Sequence, residues 1–378
     1  MKYLSLLFVL AFMACSSEKS LKVAVKNTTD LNRTDETVEV CWKEVTANLP
    51  GATKENVVVT DAQGQEIPSQ VIFNGGTEPV AVIFQANVQP NAEAAYQLKL
   101  GQPAAYPQKA YGRIVPERMD DFAWENNIVA HRMYGPALEA TGEISNGIDV
   151  WVKRTDELLI DVWYKTGDYH KDHGKGMDCY KVGRTLGAGA MAPYVDGKLV
   201  LGNNFTKAQV LDNGPLRISF KLDYAPYKVG ENEVNESRVI SLDANSRFNK
   251  IQEIYRNAPA SMEVAAGIVT RPEPSDTLMD AAAGLIGYWE PQNNDNKMNN
   301  GHVALGLVFP QGAKAVMDKD GHLLALSDYK QGEPFVYYLG TGWSKGGLES
   351  AAAWFEMIKN EKVKVNNPLV VTVVENQK

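Results

Sequence analysis

Between Trp163 and Gly189 the chain reads WYKTGDYHKDHGKGMDCYKVGRTLGAG, which brings Tyr169, His170, Asp172, His173, Asp178, Tyr180 and Arg184 into one glycine-rich run. Two of the five histidines of the chain fall here. His and Tyr are the side chains that neutral-pH proton transfer draws on first, and a glycine-rich loop after an ordered segment is where binding and catalytic groups collect. The same run also fits a polar surface loop whose glycines serve turns. Its candidate roles are His170 or Tyr180 as acid or base and Arg184 for an anion, with His173 beside them. His170, Asp172 and Asp178 are candidate ligands for a divalent cation, although the spacing matches no close-spaced metal signature.

Three further constellations carry similar residue types. In DDFAWENNIVAHRMYGPALEA, residues 120–140, strand alternation places Val129, His131 and Met133 on one face and Ala130, Arg132 and Tyr134 on the other. Arg132 can then hold an anion while Tyr134 trades a proton, His131 is a second candidate acid, and Glu125 and Asn126 on the preceding turn can bond a sugar hydroxyl pair. A cross-strand ion pair among packed aromatics explains the same residues. The third constellation is Arg271-Pro272-Glu273-Pro274 with Tyr288-Trp289-Glu290-Pro291, where prolines fix the backbone around isolated charges. The fourth is His302, at a strand start after the polar run QNNDNKMNNG. His322, in the turn DKDGH, reads as solvent-exposed and inert. GxGxxG after a strand, a P-loop, HExxH, CxxC and GxSxG are all absent, which argues against nucleotide-dependent, zincin and serine-hydrolase chemistry.

The elements that must position these groups read as β throughout. LKVAVKN, ETVEVCW, EPVAVIFQANV and AYQLKL are short alternating or β-branched runs cut by turn clusters, which predicts a small immunoglobulin-like sandwich over 21–101. GQPAAYPQKAYG, residues 101–112, is the linker candidate. From 111 to 378 long alternating runs continue: GIDVWVKR, ELLIDVWYK, PLRISFKLDYAPY and HVALGLVFP, with ESRVISLD and KIQEIYR forming a hairpin. LESAAAWFEMIKN, residues 348–360, is the one convincing helix, with Trp354 and Ile358 one turn apart. The fold class is therefore all-β: a small sandwich, then a large antiparallel one with a curved ligand-holding face.

With 378 residues, 44% hydrophobic and 22% charged, the chain can bury a full core. A net charge of −8 argues against nucleic acid and anionic lipid as partners. A basic start, a short apolar run over 3–13 and Ala14-Cys15-Ser16-Ser17 resemble a bacterial lipoprotein signal. Residues 1–14 are then the signal peptide, 15–20 the anchor and linker, Cys15 the lipidation site, and the protein is exported to the periplasm or cell surface. Cys41 reads as a small core residue, and no structural disulfide with Cys179 is expected.

AWENNIVAHRMYGPALEA, YHKDHGKGMDCYKVGRTLGAG and YYLGTGWSKGGLESAAAWFE together resemble a domain-of-unknown-function family of exported bacterial lipoproteins from polysaccharide-utilisation systems of the pectin and ulvan type. The resemblance covers most of 20–370. It implies a galactose-mutarotase-like supersandwich, shared by sugar epimerases and by the β-domains of polysaccharide lyases, and a related ulvan-system protein is an oligosaccharide dehydratase. The activity implied is β-elimination on a uronate-containing oligosaccharide, by a lyase or a dehydratase leaving a 4,5-unsaturated uronyl end. An aldose epimerase or glycoside hydrolase, with Glu125, Glu273 and Glu290 in the larger roles, is the second reading. A glycan-binding lipoprotein without turnover, drawing on seven Trp and sixteen Tyr, is the third. Elimination needs a cation for the sugar carboxylate (Arg132, Arg184 or a bound metal), a base for the C5 proton (His170 or Tyr180) and an acid for the leaving oxygen (Tyr134 or His131). Arg271, His173 and His302 complete the candidate binding set. No cofactor is required beyond a possible divalent cation.

Overall fold

Leu21, Val23 and Val25 alternate with lysine and alanine along Ser20–Lys26, and the apolar set is buried while the lysines face solvent. In the computed structural model, which describes residues 19–293 and 299–374, this strand lies inside a five-stranded sheet. The sheet runs Val370–Val374, Ser20–Lys26, Glu93–Leu100, Val57–Thr60, Glu66–Ile67. A three-stranded sheet of Arg33–Cys41, Ala81–Val88 and Ser69–Ile72 packs on it around Val38, Val40, Phe84 and Tyr96. Lys22 stands opposite Val374 and Lys26 opposite Val370, so the last described strand completes the first sandwich.

The second sandwich is larger. A nine-stranded antiparallel sheet runs in the order Phe205–Asn213, Arg217–Tyr224, Asn232–Asp243, Phe248–Arg256, Phe335–Trp343, Asn299–Val308, Leu285–Asn293, Asp276–Asp280, with the short Tyr227–Val229 also paired to Asn232–Asp243. One five-stranded sheet facing it carries Ala110–Val115, Asp121–Asn126, Ala130–Met133, Asp149–Lys153 and Gly176–Asp178. A second is built around Met191–Val195, Met262–Val269 and His322–Tyr329. Phe220, Ile240, Ile251 and Leu305 from the large sheet meet Phe122, Val150, Met191 and Val264 in one continuous core. The fold is mostly β, as its patterning predicts. The predicted hairpin forms, Asn235–Leu242 pairing with Asn249–Arg256. The late helix spans Ala351–Asn366, capped by Ser350, whose hydroxyl accepts from the Ala353 N–H at 3.2 Å. Trp354 and Ile358 press it onto the outer side of the large sheet.

Three expectations are corrected. ELLIDVWYK is not a strand: Ile160–Thr166 is a helix. The carboxylate of Glu125 accepts the Leu159 and Ile160 N–H groups at 2.6 and 2.7 Å, supplying acceptors that a helix start lacks, and Ile160 and Trp163 at helical spacing give it a buried face. His322 is not solvent-exposed but 6% accessible. Its Nε2 accepts the Leu186 N–H at 3.3 Å and its Nδ1 meets the Asp320 carbonyl at 2.9 Å. Cys41 is exposed rather than a core residue, because alternation along Arg33–Cys41 turns Val38 and Val40 inward; Cys41 and Cys179 are both free. Among the described residues no helix is long and apolar enough to cross a membrane.

Candidate active site

Arg271 and Glu290, 19 residues apart in sequence, meet Tyr180 from a segment about 90 residues earlier. Tyr180 follows the edge strand Gly176–Asp178, Arg271 follows Met262–Val269, and Glu290 lies within Leu285–Asn293. The Arg271 guanidinium sits over the Tyr180 ring, 5.4 Å from its centroid. Its Nε donates to Glu290 Oε1 at 3.3 Å and its Nη2 donates to the Lys181 carbonyl. The Arg271 backbone N–H donates to the Tyr288 hydroxyl at 3.0 Å, and Gln292 Nε2 donates to Glu290 Oε1 at 2.6 Å. Glu290 Oε2 and the Tyr180 hydroxyl are buried without a hydrogen-bond partner among the described residues. Orphaned buried polar atoms are rare and costly, and they mark places where a ligand or water completes the set.

Burial raises the Glu290 carboxyl to about 7, with Arg271 pulling back and Glu273 adding to the rise. Burial, then the Glu290 charge, holds the Tyr180 phenol well above its ordinary value, with Arg271 opposing. Glu290 can therefore exchange a proton near neutrality and Tyr180 stays protonated. The Arg271 side chain is 23% exposed where Glu290 is 3%, so the arginine is the more solvent-exposed of the pair.

A second polar cluster lies under the helix Ile160–Thr166. Arg132 Nη2 reaches Asp149 Oδ2 at 2.6 Å and Asp178 Oδ2 at 2.9 Å, and its Nε lies 3.9 Å from Asp121 Oδ2. The guanidinium is held between the rings of Tyr134 and Trp151, at 5.0 and 5.3 Å. Burial raises the carboxyls of Asp149 and Asp178, and takes Asp121 to about 6 against the pull of Arg132. Burial and mutual repulsion thus favour the protonated form of these carboxyls, against the pull of Arg132 and Arg118. Burial works against the Arg132 charge, but Asp149 and Asp178 more than offset it. Arg132 is thus shared between Asp149 and Asp178, while its Nη1 and Asp121 Oδ2 are left without a hydrogen-bond partner among the described residues.

The other candidates disperse. His131 is fully enclosed, stacked on Trp124 at 5.1 Å with Nε2 3.0 Å from Thr341 Oγ1, and burial lowers its pKa to about 3. It lies on the opposite strand face from Arg132, so it cannot act as the acid beside it. Tyr134, buried and raised by burial and by Asp149, stays with the Arg132 cluster. Glu125 and Asn126 do not face a ligand: Glu125 pairs with Lys153 Nζ at 2.6 Å besides its helix contacts, and Asn126 ties Asp243 and Ser246 carbonyls to its own turn. His170 is exposed, its Nδ1 3.2 Å from the Asp178 carbonyl. His173 meets Asp168 at 2.9 Å in solvent, and Arg184 is exposed with its Nη2 3.4 Å from the Leu201 carbonyl. His302 stacks on Trp289 at 5.3 Å, on the strand face opposite Glu290. The three proposed metal ligands do not converge, since Asp172 bonds Arg154 and Asp178 bonds Arg132. Among the described residues no group of three or more His, Cys, Asp or Glu could hold a metal ion. Cys15 lies outside the described residues.

Asp121, Asp149 and Arg118 were not singled out by sequence. Arg118, a third exposed, lies 4.0 Å from Asp121 Oδ2, and the turn between them holds Met119 and Asp120 in the left-handed region, at φ 53° and 58°. Two successive non-glycine residues there leave no compositional trace. A Cβ on Gly135 would collide with the Asp120 carbonyl, so the glycine in RMYGP is the one residue-level hint of that turn.

The chain matches the family described as a domain of unknown function, DUF4861, over residues 25–371, and belongs to it. "Uncharacterized protein P7" of Formosa agariphila is 30% identical, with 99% of this chain and 100% of that protein aligned. Among solved structures, a protein in the glycosyl hydrolase family 38 from Enterococcus faecalis has a TM-score of 0.54 at 12% identity over 96% of this chain and 48% of that one. An alpha-mannosidase from Enterococcus faecalis V583 follows at 0.48 and 10%, covering 96% of this chain and 46% of that one. The chain spans about half the length of these two structures, and at this identity the first shares a fold with it.

Proposed function

We propose that this DUF4861 chain is a carbohydrate-active enzyme that cleaves uronate-containing oligosaccharides by β-elimination, as a lyase or dehydratase leaving a 4,5-unsaturated uronyl end. The carrying observation is the meeting of Glu290, Tyr180 and Arg271, with Glu290 at about 7 and an oxygen on both the carboxyl and the phenol left without a partner. Arg271 takes the sugar carboxylate, which makes the C5 proton acidic. Glu290 accepts that proton; the C5–H electron pair forms the C4–C5 double bond; the C4–O bond breaks, and the leaving oxygen takes a proton from Tyr180. The three requirements drawn from the sequence are kept, with Glu290 replacing His170 or Tyr180 as base, Arg271 replacing Arg132 or Arg184 as cation, and Tyr180 replacing Tyr134 or His131 as acid. Sharing a fold with a protein titled a family 38 glycosyl hydrolase favours a carbohydrate substrate without fixing the reaction.

Glycoside hydrolysis is favoured by one observation, that Glu273 raises the Glu290 carboxyl and so lies within electrostatic range of it, as a carboxyl pair requires. Export with a lipid on Cys15 completes the proposal; metabolic labelling with a radiolabelled fatty acid, lost in Cys15→Ala, tests it. The reaction is tested on a panel of uronate oligosaccharides by the ultraviolet absorbance of unsaturated uronate, with and without chelator. A rise abolished in Glu290→Gln supports elimination, and chelator sensitivity assigns the carboxylate to a metal rather than Arg271. Reducing-end release without absorbance points to hydrolysis; binding without either product points to a non-catalytic glycan receptor.

A further inference from the structure

Between the two sandwiches the outer face of the nine-stranded sheet is left partly uncovered. Two cavities of about 370 and 410 Å³ open there, and Asn245, Ser246, Phe248, Glu361 and Lys364 line both, so they are two lobes of one groove. We infer that this groove is a second carbohydrate-binding site, taking a hydroxyl-rich stretch of glycan away from the Glu290 site. The choice of a sugar as ligand rests on the function proposed above; the existence of the site does not.

Its floor is rigid and mixed in character. Phe248 lies flat on Gly340, where a Cβ would strike the ring, and Trp354 backs it at 5.7 Å with planes 11° apart. Lys250 and Tyr338 are cross-strand partners beside it. Arg217 holds Asp243 through two bonds of 2.5 and 2.9 Å and reaches Glu39 of the first sandwich at 2.5 Å. That pairing fixes the planes of both carboxylates and leaves their remaining lone pairs as acceptors for hydroxyl groups. Burial, with Glu361 and Asp243, raises the Tyr338 phenol and keeps it a donor. Five carboxylates (Asp35, Glu36, Glu39, Asp243 and Glu361) and four cations (Arg217, Arg247, Lys250 and Lys364) line the two lobes, so the groove has little net charge with which to draw a polyanion. The apolar lining, the Phe248 and Tyr338 rings with Leu31, Ile128, Met357 and Val365, is interrupted by polar and charged groups, which suits the alternating faces of sugar rings.

The test is equilibrium binding of a neutral galactan octasaccharide and an oligogalacturonate octasaccharide to the wild type, Tyr338→Ala, Lys250→Glu and Glu290→Gln. Tyr338→Ala weakens binding of the galactan probe about tenfold, the loss of one aromatic contact. Lys250→Glu, an exposed substitution that spares the fold, weakens it less, and Glu290→Gln leaves it unchanged. Loss in the two groove variants upholds the site whether or not the wild type forms unsaturated product, so failure of the elimination reading is scored separately. Galactan binding unchanged in both groove variants, or absent from the wild type, overturns it.

Discussion

The Arg132 cluster and the Arg271 trio are made from the same residue types, yet they differ in how tightly the guanidinium is paired and how deeply it is buried. Arg132 is divided between Asp149 and Asp178 at 2.6 and 2.9 Å and lies under a helix at 4% exposure. Arg271 makes one looser carboxylate contact, 3.3 Å, and is about a quarter exposed. A guanidinium wrapped by several carboxylates has its field consumed internally and organises loops. One that shares a single carboxylate and is partly exposed still has differential interaction to offer a ligand. Sequence motifs report residue types; pairing decides which are available.

The largest expected effect separates the two directly. Glu290→Gln keeps volume and hydrogen bonding but removes the base, and should cost about a thousandfold in turnover with unchanged thermal unfolding. Arg132→Met should do the opposite. It strands Asp149 and Asp178 in the interior and should cost about 3–5 kcal/mol of stability, read by urea unfolding, since breaking one side of a buried pair leaves the other uncompensated. If Arg132→Met folds normally and loses turnover alone, the assignment of the two clusters is reversed. Arg271→Lys should sit between: a point charge cannot reproduce the guanidinium plane over Tyr180, so KM rises about tenfold while stability changes by less than about 1 kcal/mol.

Alternation made the strand faces legible before any coordinates: Arg132 and His131 do fall on opposite faces, and Trp354 and Ile358 do bury the late helix. What alternation could not carry was any contact between segments far apart in sequence. Leu158 to Tyr164 satisfies both strand and helix patterns, and the Glu125 carboxylate at its start, from another strand, decides for helix. His322 looked exposed in DKDGH because the Leu186 N–H that it accepts is 136 residues away. Arg271 and Glu290 share one sequence constellation and Tyr180 belongs to another. Their convergence follows from the packing of three sheets, which no local pattern encodes.

Acidity extends the contrast. Glu290 must be deprotonated to act, so kcat/KM should rise with pH through about 7, and Glu290→Gln should erase that limb. Asp121 acts on stability instead. Its folded value of about 6 lies above the ordinary 3.8, so the folded state binds the extra proton. The stability it contributes is full below about 3.8 and is lost as pH rises through 6, a slope that Asp121→Asn should flatten in urea titrations. A slope that instead disappears in Glu290→Gln would place the buried proton in the trio.

The smallest effect is the sharpest check on the boundary between the two regions. His170 stands at the edge of the Arg132 cluster, two-thirds exposed, its Nδ1 3.2 Å from the Asp178 backbone carbonyl and 3.5 Å from the Asp178 carboxylate. As the loop base suggested by its sequence context it would be indispensable. With Glu290 as base it is a rim residue, and His170→Ala should change turnover by less than about threefold, the scale of a surface substitution. Turnover abolished in His170→Ala with the fold intact would move the chemistry out of the trio and into the 163–189 loop.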